Sequence, residues 1–174
     1  MAGQDLAVAL TALSIAIQTE KDGLEFYKRA AESTNDPGGK VLFASLADDE
    51  LEHLRLLEAQ EESLTKEGQW LPRSETGVEE HRPEVKGAPI FSRESLDEDI
   101  NVYTSELSAL RMAFLIEKDA VAFYSKAACE TRDPDGKATY QFLVGMELEH
   151  QRILEEEYSA LAKQFWSTVG FEPF

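Results

Sequence analysis

Leu10, Leu13, Ile17, Leu24, Tyr27 and Ala31 follow one another at spacings of three, four and seven residues, the stripe of an amphipathic helix. A second stripe, Phe43, Leu46, Glu50, His53, Leu54 and Leu57, begins just past Asp36-Pro37, with Asp36 placed as an N-cap and Pro37 at the first helical position. The short turn between them forces the two helices antiparallel. The plan then repeats: Leu110, Phe114, Val121, Tyr124 and Ala128 make a third stripe, and Tyr140, Leu143, Glu147, His150 and Leu154 a fourth. The repetition is a duplication at an offset of 97, since 17 of 34 positions are identical between residues 20–53 and 117–150.

Between the two units Pro72, Pro83, Pro89, Gly77 and Gly87 mark a connection with little regular structure. A connection of this length is needed only if helices two and three are parallel, so that the chain must travel back along the bundle. The expectation is an all-α four-helix bundle in one domain over residues 1–174: a hairpin at 5–66, a crossover at 67–99, a second hairpin at 100–168 and an apolar tail at 169–174. Phe165, Trp166, Phe171 and Phe174 are expected to pack against the bundle or a partner subunit.

Composition narrows the function. Seventeen basic residues against 34 acidic ones give a net charge of −17 and a pI near 4.5, the wrong sign for nucleic acid or an anionic membrane surface. The most apolar run, Leu6 to Ile17, is too short to span a bilayer and lacks the basic flank of a secretory signal, so the expected location is the cytoplasm. The single cysteine, Cys129, is expected to be a small buried residue. Leu6, Val8, Leu10, Leu13, Ile15 and Ile17 are apolar on more than one helix face, which points to a homodimer.

The chemistry lies in charged residues that stand where the stripes call for hydrophobes. Glu20 is seven residues from both Leu13 and Tyr27, within about 20° of one helix face. Glu50 and His53 share the inward face of the second helix, and the duplicate places Glu117, Glu147 and His150 identically. Glu52 and Glu149 lie about 200° away, towards solvent, and Arg55 and Arg152 are expected to pair on the helix surface. His81, in the crossover, is expected to be ordinary surface. Four carboxylates in one apolar bundle repel unless protonated or bound to cations, and two divalent ions supply the balancing charge. Two imidazoles complete a mixed nitrogen and oxygen ligand set suited to iron or manganese. Tyr27 and Tyr124 share the ligand face, where each phenol either hydrogen-bonds a carboxylate of the opposite unit or serves as a core aromatic.

Glu20 with Glu50-x-x-His53, and Glu117 with Glu147-x-x-His150, around a long crossover, resembles the di-iron domain of the rubrerythrin family. The resemblance covers about residues 5–165 and implies a ferritin-like fold. It also implies Glu50 and Glu147 as bridging ligands, Glu20 and Glu117 as terminal ones, and two iron ions, with manganese or zinc as substitutes. Two departures stand out. The rubredoxin domain of such proteins needs four cysteines, which this chain lacks, and Ala120 occupies a position where the family carries a further glutamate. The resemblance therefore implies an oxidoreductase that reduces O2 or H2O2 with electrons from an external donor protein. The alternatives are a ferroxidase-type iron-handling protein and a bundle in which metals act only as cross-links.

Overall fold

The computed structural model describes residues 3–78, 90, 91 and 100–170. They form four α-helices, α1 (Gly3–Ser33), α2 (Pro37–Glu67), α3 (Ile100–Glu130) and α4 (Pro134–Thr168), and one 3-10 turn at Arg73–Glu75. Among the described residues there is no strand, and no helix is long and apolar enough to cross a membrane. Asp36 caps α2 by accepting from Gly39 N at 2.8 Å, and Asp133 caps α4 by accepting from Asp135 N at 3.0 Å and Gly136 N at 3.3 Å.

α1 packs along α2 and α3 along α4, as two hairpins. Tyr27 of α1 faces Glu117 of α3, and Glu20 faces Tyr124, so positions rise along one helix as they fall along the other. α1 is therefore antiparallel to both α2 and α3, and α2 runs parallel to α3. Two apolar clusters fill the interior. One is built on Leu13, Leu56, Leu57, Tyr124, Tyr140 and Leu143, the other on Tyr27, Phe43, Leu46, Leu110, Leu154 and Leu161. On every helix the glutamates and histidines singled out above fall between these two clusters.

The crossover is more than a surface loop, because both of its described ends are buried at positions related by the duplication. Trp70 lies on Gly136, where an added Cβ would sit 2.5 Å from the indole, and Phe91 lies on Gly39, where a Cβ would sit 2.6 Å from the ring. Gly39 and Gly136 are 97 residues apart. Gln60 exchanges two hydrogen bonds with the backbone of Leu71, at 2.9 and 3.0 Å. Its counterpart Glu157, also 97 residues on, accepts from Ile90 N at 2.8 Å. Each end of the crossover is thus held by both hairpins, Trp70 and Leu71 by Gly136 of α4 and Gln60 of α2, and Ile90 and Phe91 by Gly39 of α2 and Glu157 of α4.

Cys129 is exposed, contrary to expectation: Ala127 and Ala128 take the buried positions at the end of α3, and the next 100° step carries Cys129 outward. Phe165 packs on the core while Trp166 remains exposed against it, with ring centroids 5.0 Å apart. Phe171, Phe174 and His81 lie outside the described residues.

Gly136→Ala should lower stability by about 1–3 kcal/mol through overpacking against Trp70. Gly145 of the same helix has nothing within 4 Å of an added Cβ. Gly145→Ala should therefore raise stability by about 0.5–1 kcal/mol. Urea denaturation of the two variants checks both signs, and equal effects would remove the wedge assigned to Trp70.

Candidate metal centre

The site takes one glutamate each from α1 and α3 and a Glu-x-x-His pair each from α2 and α4. The three-residue step aims both members of a pair in one direction, because residues three apart are neighbours on a helix surface. Glu20, Glu50, His53, Glu117, Glu147 and His150 are all buried, none more than 3% exposed. Both imidazoles turn Nδ1 into the cluster. His53 Nδ1 lies 3.3 Å from Glu20, 3.7 Å from Glu50 and 3.2 Å from Glu147. His150 Nδ1 lies 3.1 Å from Glu147, 3.7 Å from Glu117 and 3.9 Å from Glu50. The rings stack with centroids 5.6 Å apart.

Two groups of donor atoms, each with its atoms within 4.8 Å of one another, can be drawn from these residues. The first is Glu20, Glu50, His53 and Glu147, and the second is Glu50, Glu117, Glu147 and His150. Glu50 and Glu147 belong to both. Glu20 Oε2, both carboxylate oxygens of Glu147 and the Nδ1 atoms of His53 and His150 are buried with no hydrogen-bond partner. The short approaches among them lack hydrogen-bond geometry, so these atoms are unsatisfied as they stand. Buried polar atoms are ordinarily paired. Six orphaned or crowded donors aimed at two overlapping points fit a pair of cations, which would supply the missing partners and offset the carboxylate charge.

Tyrosines tie the two hairpins together at this level. Tyr27 donates to Glu117 and Tyr124 donates to Glu20, so each phenol holds the carboxylate of the opposite unit. Burial and the neighbouring carboxylates push both phenols well above their ordinary pKa, which keeps the proton in place for donation. Away from the cluster, Arg55 pairs with Glu52, and Arg152 with Glu149 at 2.7 Å and Glu156 at 2.6 Å, as surface ion pairs.

One participant was not singled out from the sequence. Asp49 is buried, and its Oδ2 lies 3.2 Å from His150 Nε2. A signal existed: in the otherwise matching motifs Asp49 stands opposite Met146.

In the metal-free protein the charges are strongly perturbed. Burial, then repulsion from Glu20 and Glu147, raises Glu50 well above the ordinary carboxylate range. Burial and repulsion from Glu147 raise Glu117 to about 8. Burial also pushes Glu147 up, but attraction to His53 and His150 outweighs it and holds this carboxylate well below its usual value. Burial lowers both histidines, yet the surrounding carboxylates and, at His150, Asp49 outweigh it and raise them.

Groups with raised folded pKa values contribute stability that is present at low pH and lost as pH rises through the folded value. Glu50, Glu117, His53 and His150 all act in this direction, while Glu147 is ionised in both states above about pH 5. Metal-free protein should therefore lose thermal stability steadily from about pH 5 to pH 9, and metal-loaded protein much less. Thermal unfolding of the two forms across that range tests this. A melting temperature of the metal-free form that stays level or rises with pH contradicts it.

The family model described as Rubrerythrin matches residues 11–158. Searches of curated proteins and of solved structures returned no match. With its duplicated Glu and Glu-x-x-His motifs on a ferritin-like bundle, the chain belongs to the rubrerythrin family.

Proposed function

We propose that the cluster holds two iron ions and that the protein is an oxidoreductase that reduces O2 or H2O2 with electrons from an external donor protein. The observation that carries this reading is the pair of overlapping donor groups sharing Glu50 and Glu147 in a fully buried layer. In it, Glu50 and Glu147 would serve both ions, Glu20 and His53 would hold one of them, and Glu117 and His150 would hold the other. Manganese or zinc can occupy the same donors. A ferrous pair held this way supplies two electrons in one encounter with an oxidant. The protein's own part is to hold it. Tyr27 and Tyr124 orient the terminal carboxylates, and the apolar clusters on either side exclude bulk water from the polar layer. A reducing compartment, the cytoplasm, fits a resting ferrous centre.

Metal analysis of purified protein is the first test. Two transition-metal ions per chain are expected in wild type, with loss at both positions in Glu50→Ala and loss of about one ion in His53→Ala. Loaded wild type should then consume peroxide or O2 when a reductant is supplied. If the buried groups instead form only hydrogen-bonded pairs, Glu50→Gln stabilises a metal-free protein without changing its metal content. Wild type that cannot be loaded overturns the proposal, and sustained uptake far beyond two irons per chain replaces it with iron handling.

The same reading includes a homodimer. Val8 is 64% and Ile15 50% exposed on one side of α1, seven residues apart and so on one stripe. Light scattering should give twice the 19.5 kDa chain mass. Val8→Glu with Ile15→Glu should give the monomer, and a wild-type monomer rules the dimer out.

A further inference from the structure

The duplication makes the two halves of the centre equivalent as far as the six facing side chains, and one step further out the equivalence breaks. His150 presents Nδ1 to the cluster and anchors its other nitrogen, Nε2, on Asp49 Oδ2 at 3.2 Å, with both side chains wholly buried. The position 97 residues beyond Asp49 is Met146, a buried thioether with no charge and no strong acceptor. His53 Nε2 is correspondingly buried with no hydrogen-bond partner among the described residues.

A carboxylate on the remote nitrogen of a ligating histidine does three things. It fixes the tautomer that leaves the other nitrogen free, it fixes the ring's orientation, and it raises the ring's basicity towards a cation. His150 has all three and His53 has none from this source. We propose that the two ion positions are unequal. The one formed by His150, Glu117, Glu50 and Glu147 holds its ion more tightly, the one formed by His53, Glu20, Glu50 and Glu147 is the exchangeable position, and Asp49 is the positioning residue that sets the difference. This rests on the dimetal reading above and adds to it a division of labour between the ions.

Cobalt(II), whose visible absorption reports each ion bound, serves as the probe with the full-length chain. Repulsion between neighbouring divalent ions separates two binding steps even in a symmetric centre, so each position is measured alone. His53→Ala leaves the His150 position and His150→Ala leaves the His53 position. The His150 position should bind about 10–100-fold more tightly, the usual reach of such an outer partner. Adding the isosteric Asp49→Asn should remove that advantage in the His53→Ala protein and leave affinity in the His150→Ala protein unchanged. A merely structural role for Asp49 would weaken both. Met146→Asp, read in the His150→Ala protein, should tighten the weak position. Equal affinities at the two isolated positions, or equal losses from Asp49→Asn in both, overturn the inequality while leaving a dimetal centre standing. Wild type that binds no cobalt overturns the centre and the inequality together.

Discussion

Four carboxyl groups meet in an interior from which water is excluded, and their mutual repulsion is the constraint to which the rest of the bundle answers. An ionised carboxylate in such a place costs several kcal/mol unless a counter-charge or a proton accompanies it. Here the metal-free protein relies on protons, with Glu50 and Glu117 pushed up and two raised imidazoles facing a depressed Glu147. Two divalent cations would do the same work without the protons. The apolar clusters above and below confine this polar layer to about the middle of each helix, so that each helix carries a band of charge between two apolar stretches of its inner face.

Holding that band in register needs long helices that do not slide, and the crossover contributes to this. Trp70 on Gly136 and Phe91 on Gly39 are two wedges at matching places, one per hairpin. Gln60 and Glu157 fix the adjoining backbone on each side. The connection that makes α2 and α3 parallel is thereby fastened at both ends to the framework it joins.

Much of this was legible in the chain itself. The apolar stripes and the Asp-Pro caps mark four helices, and the six inward residues stand out because a charge interrupts a hydrophobic period. Asp49 escaped because helical periodicity weighs one helix at a time. It lies seven residues from both Leu42 and Leu56, which are buried on the same side of α2, but the stripe that marks the inner face in the sequence runs through Phe43, Glu50 and Leu57, and the group it meets, His150, belongs to α4. The crossover aromatics escaped for a related reason: a segment rich in proline and glycine reads as loop, and the cue to its burial lies in two glycines of other helices. Cys129 was misplaced because a residue-type tendency gave way to helical phase, with Ala127 and Ala128 already holding the inward positions.

The crossed tyrosines carry a consequence for ancestry. Tyr27 serves Glu117 and Tyr124 serves Glu20, so neither hairpin completes its own carboxylate, and each supplies what the other lacks. One hairpin with a single Glu, a single Glu-x-x-His and a single Tyr, paired with an identical copy about a two-fold axis, would satisfy every one of these contacts. A gene half this length could therefore have encoded a working centre at a subunit interface. Fusing two copies removed the requirement that both halves change together, and the fused chain was then free to make its two sides differ.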